Sequence, residues 1–342
     1  MKKNLMTTLL ASVSSLALLA GCGSAPADGG NNGGNTSNAN TQEVSASGQT
    51  YTVGICQLVQ HEALDAATQG FKDALTEKLG DSVKFDEQNA SGDSATCATI
   101  ANQFVSSGVD LIMANATPPL QSCAAATNEI PILGTSVTDY ATALQIDVND
   151  WTGKTGANIS GTSDLAPLAE QAALLKELFP DAETVGLLYC SAEPNSVYQV
   201  RVMTEELTNL GYVCEDYAFA DSNDIASVCT NATGKVDVLY IPTDNAAASA
   251  TEVINNVCFP AGIPIVTGEE GICSGCGVAT LSISYYDLGY QTGLMAYEVL
   301  ANGADVSDME IKFAPNVTKK YVASRCEALG VTIPEGYEAI AE

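Results

Sequence analysis

The sequence has few basic residues and a single histidine, and both shortages limit what the protein can bind. Its 342 residues include 13 Lys and Arg against 41 Asp and Glu, which gives a formal net charge of -28. No segment concentrates the basic residues, and an acidic surface of this kind repels nucleic acid and anionic lipid. The one histidine, His61, is far in sequence from the Cys273 and Cys276 pair, and a second pair of ligands is missing. We therefore expect no nucleic-acid partner, no metal and no cofactor.

Motifs for phosphate binding and for covalent catalysis are also missing. The chain contains neither GxxxxGK[ST] nor GxGxxG, and it has no GxSxG nucleophile motif. His61 and Asp65 are four residues apart on a predicted helix, a spacing at which a carboxylate can orient a histidine base. Without a nucleophile motif, we favour a polar helix start near a cleft and predict that the protein is not an enzyme. An extracellular enzyme using His61 is kept as an alternative.

The N-terminus has the pattern of a lipoprotein signal peptide. Lys2 and Lys3 precede an uncharged apolar run over residues 5–20, and small residues then lead to Cys22. The run is at the short limit for crossing a membrane. We predict a signal peptide over residues 1–22 with lipid attached to Cys22. The following Gly, Ser and Asn residues predict a flexible linker over residues 23–49.

Ten cysteines remain after Cys22, and an exported protein is in a compartment that permits disulfides. Cys273 and Cys276 are the closest pair, and they form either a local disulfide or two free thiols. Cys97 and Cys229 occupy matching places in two sequence repeats, so we expect them to lie in different lobes and not to pair. The sequence leaves the remaining pairings open.

Three apolar segments of the chain occur twice, in the same order and at nearly constant offset. Each precedes polar loop residues, and the matched pairs are 52–55 with 184–187, 109–118 with 236–245, and 130–133 with 263–266. This repetition predicts two copies of one α/β lobe. The expected fold class is α/β, with two Rossmann-like parallel-sheet lobes joined by a multi-segment hinge. Lobe one is predicted to span residues 50–160 plus 285–313, and lobe two residues 161–284 plus 314–342.

The sequence also predicts where the chain crosses between the lobes and the bounds of two helices in lobe two. The chain is expected to leave lobe one near residues 158–163 and to cross between lobes around Ser160, Ser284 and Pro315. Helices are predicted over residues 247–259 and 319–329.

The loops after the strands are predicted to line a cleft between the lobes, because ligands of parallel sheets bind beyond the carboxyl ends of strands. These loops contain ten acidic residues and no Lys or Arg. This surplus favours a ligand with an amino group. Its carboxylate could bind at helix N-termini, for example after Thr117 or at the turn of Thr135 and Ser136, and Tyr140, Tyr285 and Tyr286 could cover its side chain. The candidate ligand-binding residues are Gln57, His61, Asn115, Thr117, Thr135, Ser136, Ser191, Asn195, Asp244, Asn245, Glu269 and Asp287.

Several of these loops carry ordered motifs that resemble one known family. The motifs are QLV with HxxLD (57–65), QNA with GD (88–93), VDLI with ATP (109–118), VTD (137–139), NS (195–196), PTDN (242–245) and YYDLGYQTG (285–293). Together, over residues 51–333, they resemble the tryptophan/tyrosine-type substrate-binding lipoproteins of ABC importers. Tyr140, where proline usually follows VTD, and the two cysteines of the Glu269 loop depart from that pattern.

The resemblance implies a periplasmic-binding-protein type I fold and an aromatic or other apolar amino acid as ligand. It also implies an ABC permease and its ATPase as partners of an extracytoplasmic protein held to the cell membrane by its lipid anchor. We therefore predict amino acid capture by lobe closure, without catalysis. A sensory receptor that signals by the same closure is a second alternative.

Overall fold

The computed structural model describes residues 49–314 and 316–341. The predicted signal peptide, lipid-attachment residue Cys22 and nearly all of the predicted linker lie outside these residues, as does Pro315. None of the helices in the described part is long and apolar enough to cross a membrane.

The first lobe alternates strands and helices around one six-stranded sheet. Its elements in chain order are β1 (Tyr51–Gln57), α1 (Glu62–Leu79), β2 (Val83–Asn89), α2 (Ser94–Ser107), β3 (Leu111–Asn115), α3 (Thr117–Ala126), β4 (Ile132–Val137), α4 (Tyr140–Leu144) and β5 (Ile159–Ser163). The strands are parallel, in the order β2-β1-β3-β4-β5, and the late strand β11 (Lys312–Phe313) pairs with β5.

The second lobe repeats this arrangement. It contains α5 (Leu168–Leu178), β6 (Thr184–Cys190), α6 (Pro194–Asn209), β7 (Val213–Phe219), α7 (Ile225–Ala232), β8 (Val238–Ile241), α8 (Asn245–Ala248), α9 (Thr251–Cys258), β9 (Ile265–Thr267), α10 (Glu270–Cys276) and β10 (Ala279–Ser282). Its order β7-β6-β8-β9-β10 is that of the first sheet, strand for strand. The prediction of two parallel-sheet lobes is confirmed.

The C-terminal part of the chain visits both lobes. Helix α11 (Tyr285–Asn302) packs along α1, and β11 then joins the first sheet. The chain ends in the second sheet with β12 (Thr318–Tyr321), α12 (Ala323–Leu329) and β13 (Glu338–Ala339). Strand β12 runs antiparallel to β10, and β13 pairs with its other side at the edge of the sheet. The lobes are therefore joined by three connections, after β5, β10 and β11.

Each sheet is covered by helices on both faces. Successive side chains of a strand point to opposite faces, and apolar side chains on both faces need to be buried. In β1, Val53 and Ile55 pack towards α1 and α11, whereas Cys56 packs towards α2 and α3. In β6, Leu187 and Leu188 divide in the same way between two cores of the second lobe. The central strands are thus apolar on both faces, whereas the edge strands β2 and β7 carry exposed polar residues. Polar chemistry between the lobes is therefore expected at the strand ends.

Three predicted boundaries are wrong. Residues 159–163 do not leave the first lobe but form β5, so the first sheet continues to Ser163. The predicted helix at 247–259 is two helices, α8 and α9, separated at Ser249 and Ala250. The predicted helix at 319–329 begins as strand β12, because residues 318–321 pair with β10, and only residues 323–329 are helical.

Candidate functional site

The carboxyl ends of the two sheets face each other across a cleft. A cavity of about 220 Å³, here the outer cavity, is lined by residues of both lobes. Lobe one contributes Leu58, Val59, Ser91, Gly92, Ser94 and Pro118, and lobe two contributes Cys190, Ala192, Glu193, residues 220–222, Asn245, Ala246 and Ser249. A second, enclosed space of about 10 Å³, here the inner cavity, lies deeper between the lobes. Its polar lining consists of His61, Asp164, Thr243, Asp244, Asn245, Glu269 and Tyr285.

His61 and Asn245 connect the two lobes at the inner cavity. His61 precedes α1, and its Nε2 lies 3.2 Å from Oδ1 of Asn245 at the start of α8. Burial lowers the pKa of His61, so the imidazole is neutral at pH 7 and can donate its Nε2 proton to Asn245. Asp65 accepts from Nε2 of Gln57 at 2.7 Å. Its charge acts to raise the pKa of His61, but burial outweighs this effect. Asn245 lines both cavities and is the central residue of this contact.

Glu193 fixes the conformation of Asn245. Its carboxylate accepts from Nδ2 of Asn245 at 2.6 Å, from the backbone N–H of Asn245 at 3.1 Å and from that of Ala246 at 2.9 Å. Nδ2 of Asn195 donates to the same carboxylate at 3.1 Å. Burial, followed by the charge of nearby Asp244, raises the pKa of Glu193 to about 7. The group therefore titrates near neutral pH.

Asp244 and Glu269 cap the short helices α8 and α10. Asp244 accepts from the N–H of Ala247 at 2.8 Å and from that of Cys190 at 2.6 Å. Glu269 accepts from the N–H groups of Gly271 and Ile272. Both carboxyls are buried, which raises the pKa of each, that of Glu269 to about 7. Both residues lie directly before a helix because their carboxylates cap its first N–H groups. Burial disfavours their charged form, so a nearby positive charge would lower both pKa values.

Asp164 is the fourth buried carboxylate of the cleft and lies on the first connection between the lobes. It accepts from the hydroxyl of Thr138 at 2.9 Å and from that of Tyr285 at 2.9 Å. Tyr285 begins α11 at the second connection, and its hydroxyl also interacts with Thr243 of lobe two. Burial raises the pKa of Asp164. This hydrogen-bonded group joins two of the three connections.

No Lys or Arg among the described residues lines the outer or the inner cavity. Lys320 lines a neighbouring cavity of about 250 Å³, which Glu269 and Tyr285 also line. Its Nζ lies 2.5 Å from Oε2 of Glu270, so its charge is already paired. The cleft therefore presents buried carboxylates without a compensating cation.

Four buried polar oxygens at the strand ends have no hydrogen-bond partner: Asn115 Oδ1, Thr117 Oγ1, Ser136 Oγ and Asn195 Oδ1. All four belong to predicted ligand-binding residues. An unpaired buried polar group costs about 1–3 kcal/mol, so a partner is expected for these atoms. None of the four residues lines the outer or the inner cavity.

Backbone strain accompanies these unpaired atoms in lobe one. Ala116 has φ 99° and Ser136 has φ 55°, which are unfavourable for residues with a side chain. Pro118 and Pro119 follow in the first turn of α3 and have no N–H. This helix N-terminus therefore offers fewer than the usual four free N–H donors. The available donors here are the backbone and hydroxyl of Thr117 together with the hydroxyl of Ser136.

Other predicted residues form hydrogen bonds within lobe one and do not line either cavity. Gln57 accepts from the hydroxyl of Thr68 at 2.6 Å, and that hydroxyl accepts from Nδ2 of Asn115 at 3.0 Å. The hydroxyl of Thr135 lies 3.2 Å from that of Thr162. Because these groups pair with protein atoms, Gln57 and Thr135 hold β1 and β4 in place; Asn115 does so through Nδ2 while its Oδ1 remains unpaired.

The structure places four further residues away from the two cavities. Ser191 donates its hydroxyl proton to the carbonyl of Phe219 at 3.0 Å, and Asp287 is exposed in the first turn of α11. Tyr140 is buried in the core of lobe one, where it donates to the carbonyl of Thr162. Tyr286 lies on the surface and donates to Asp73. Of the three tyrosines expected to cover a side chain, only Tyr285 lines the inner cavity.

The candidate ligand-binding residues did not include Asp164, Glu193 or Thr243, although Glu193 and Thr243 lie in loops that were predicted to line the cleft. Asp164 follows β5, which was not predicted, so its position at a strand end was hidden. Glu193 precedes Pro194, and an acid followed by proline is a recognisable helix start that was available as a signal.

Comparison with known proteins identifies the family. Residues 52–342 match the family model described as ABC transporter substrate binding protein. The chain belongs to the ABC transporter substrate-binding protein family. A curated relative of this substrate-binding protein, the tyrosine-binding protein of Clostridioides difficile (strain R20291), is 36% identical over 312 residues, or 90% of this chain and 87% of that protein.

Two solved relatives show the fold of this substrate-binding protein in different states. An ABC domain in complex with L-Trp from Streptococcus pneumoniae is 33% identical and has a TM-score of 0.81, over 85% of this chain and 100% of that one. A ligand-free, open substrate-binding protein with adhesive properties from Clostridium difficile is 35% identical and has a TM-score of 0.65, over 85% and 99%. The fold is the periplasmic-binding-protein type I fold.

Proposed function

We propose that this substrate-binding protein captures an amino acid with an aromatic or other apolar side chain in the interlobe cleft and delivers it to its ABC importer. The observation that carries the proposal is the set of four buried carboxylates, Asp164, Glu193, Asp244 and Glu269, next to cavities without a basic residue. An ammonium group of the ligand would supply the positive charge that these carboxylates lack.

The carboxylate of the same ligand needs donors, and lobe one offers them. The hydroxyls of Thr117 and Ser136 are buried without a partner, and hydroxyls can donate to a carboxylate. The names of the relatives, a tyrosine-binding protein and an L-Trp complex, support an aromatic amino acid.

The proposal also includes a membrane anchor and the partners in transport. Cys22 is the lipid-attachment residue, so the folded part is held at the outer face of the cell membrane by acyl chains and the linker. The partners are a permease and its ATPase, and the binding protein itself catalyses no reaction. The sequence pattern of residues 1–22 supports the anchor.

The direct test is thermal unfolding of the protein without residues 1–22, with each common amino acid added separately. We expect tyrosine, tryptophan or phenylalanine to raise the unfolding temperature, because a ligand at 100 times its Kd adds about 2.7 kcal/mol of stability. N-acetyltyrosine lacks the ammonium group and is expected to give no shift. Absence of a shift with every amino acid, or an equal shift with N-acetyltyrosine, contradicts the proposal.

A matched pair of variants locates the binding site. Glu269→Gln removes a cleft carboxyl and is expected to weaken ligand binding. Glu170→Gln changes an exposed glutamate of α5 and is expected to leave binding unchanged.

A further inference from the structure

Six of the cysteines form two compact groups, one in each lobe. The lobe-one thiol cluster lies in a single apolar core and consists of Cys56 (β1), Cys97 (α2) and Cys123 (α3). The lobe-two thiol cluster consists of Cys229 (α7), Cys258 (α9) and Cys276 (α10), which lie in a second core together with Cys190 of β6. Cys229 interacts with the thiols of Cys258 and Cys276. All six side chains are buried and reduced in the structure.

The two clusters are related by the internal repeat. Cys97 and Cys229 lie on helices that follow equivalent edge strands, β2 and β7. Cys123 and Cys258 lie on helices that follow the equivalent strands β3 and β8. Each lobe therefore brings together one thiol from each of these two neighbouring helices, and this placement occurs twice.

Within each cluster the thiols affect one another's pKa. The thiol of Cys56 interacts with those of Cys123 and Cys97. The thiol of Cys229 interacts with that of Cys258, and Cys276 adds an electrostatic contribution. These are contacts between elements distant in sequence, and each lies inside one lobe.

Cys273 and Cys276, expected to form either a local disulfide or two free thiols, affect each other electrostatically but pack in different cores. Although both residues are on α10, Cys273 packs with Val322 and Ile340, whereas Cys276 packs with the lobe-two thiol cluster. Their side chains thus enter different cores. This separation favours partners for Cys276 other than Cys273.

We propose that each thiol cluster forms one disulfide when the chain folds outside the cytoplasm: Cys229–Cys258 in lobe two, and Cys56 with Cys97 or Cys123 in lobe one. The oxidant is a low-molecular-weight disulfide. One protein thiol loses its proton and attacks that disulfide, forming a mixed disulfide and releasing one small thiolate, which takes up a proton. The second protein thiol, also deprotonated, then displaces the second small thiol. Two protein thiols are oxidised and one small disulfide is reduced to two thiols.

Burial sets the time at which this reaction occurs. The thiols are inaccessible in the folded lobes and, for Cys56 and Cys229, the pKa is raised well above its ordinary value by the neighbouring thiol and by burial. Exchange therefore takes place before the cores close, and the folded protein retains whichever redox state it acquired. Neither bond crosses the cleft, so lobe closure stays free.

The test is refolding of the chain from residue 23 onward, from denaturant, with a mixture of oxidised and reduced glutathione or with dithiothreitol alone. Free thiols are then alkylated under denaturing conditions and counted by intact mass, and bonded peptides are mapped without reduction. With glutathione we expect two disulfides, which leave six of the ten thiols free, and a higher unfolding temperature than in dithiothreitol.

Two variants make the result specific. Cys258→Ser is expected to abolish the lobe-two disulfide while the lobe-one disulfide remains. Cys214→Ser is the control, since the Cys214 sulfur lies 4.0 Å from both Thr208 Oγ1 and the Thr204 carbonyl and is in neither cluster. If Cys258→Ser does not fold, the peptide map of the unsubstituted chain decides. Ten free thiols after oxidative refolding, or bonds outside the two clusters, overturn the proposal. This test does not depend on the ligand, so it is independent of the proposed transport function.

Discussion

At the scale of single residues, the cleft is defined by carboxylates that are hydrogen-bonded but not neutralised. Glu193 receives four donors and Glu269 receives two backbone donors, yet burial still raises both pKa values to about 7. Hydrogen bonds favour the charged form, but here desolvation outweighs them. These groups therefore destabilise the empty protein when they ionise, and a bound ammonium group relieves that cost.

This balance predicts opposite effects of pH on stability and on binding. The folded pKa of Glu193 and Glu269 lies above the unfolded value of 4.5, so their contribution to stability is present at low pH and is lost as pH rises to about 7. Denaturant unfolding of the empty protein should show this decline, with a slope of up to about 1.4 kcal/mol per pH unit for each group. Glu269→Gln should reduce the slope, and Glu170→Gln should not.

Binding of an ammonium ligand should strengthen over the same pH range, because the ligand favours the ionised carboxyls. Calorimetry at pH 6 in two buffers of different ionisation enthalpy should then show proton release on binding. Affinity that is constant from pH 5 to pH 8 would show that neither carboxyl responds to the ligand.

At the scale of secondary-structure elements, the close approach of α1 and α11 positions Tyr285 at the cleft. A Cβ added to Gly289 would lie 1.9 Å from the carbonyl oxygen of Ala67, and one added to Gly70 would lie 2.1 Å from that of Tyr286. These distances leave no room for a methyl group. Glycine thus allows the two helices to touch backbone to backbone, and Tyr285 at the start of α11 can then reach Asp164.

We expect Gly289→Ala to separate these helices and to lower the free energy of unfolding by about 1–3 kcal/mol, the usual cost of overpacking. Denaturant unfolding measures the change. The control is Thr76→Ala on the exposed face of α1, which should change stability by less than about 0.5 kcal/mol. Equal stability of both variants would mean that the helix contact is looser than the structure shows.

The elements that were predictable from sequence are those with long apolar runs. β3 and β8 are fully buried apolar strands, and their repetition in the sequence gave the correct two-lobe fold. β5 was missed because ISGTS contains one large apolar residue, and its burial depends on neighbouring strands. β12 was mistaken for a helix because TKKY is too short and too polar to show a period, and its conformation is set by pairing with β10.

The same limit applies to the site. Asp244 and Glu269 could be predicted, because a helix cap follows from local sequence. The His61–Asn245 and Asp164–Tyr285 contacts could not, because each joins residues more than 100 positions apart and depends on how the two sheets face each other.

At the scale of the whole molecule, the polar contacts near the cleft divide into two kinds. Asp164 and Tyr285 lie on the connections, where the lobes stay together in any arrangement. His61 and Asn245 belong to different lobes and meet at the inner cavity, so their hydrogen bond depends on closure. A contact made only in the closed arrangement lowers the free energy of that arrangement relative to the open one. The ligand then needs to contribute less binding free energy to close the lobes.

His61→Ala should therefore shift the empty protein towards the open arrangement without disturbing lobe two, where Glu193 still holds Asn245. Loss of one neutral hydrogen bond of about 1 kcal/mol corresponds to about fivefold weaker ligand binding. X-ray scattering should show a larger radius of gyration for the empty variant, which returns to the unsubstituted value when ligand saturates the site. Gln69→Ala, on the exposed face of the same helix, should change neither quantity. If His61→Ala weakens binding but leaves the scattering of the empty protein unchanged, His61 contacts the ligand directly and does not act through closure.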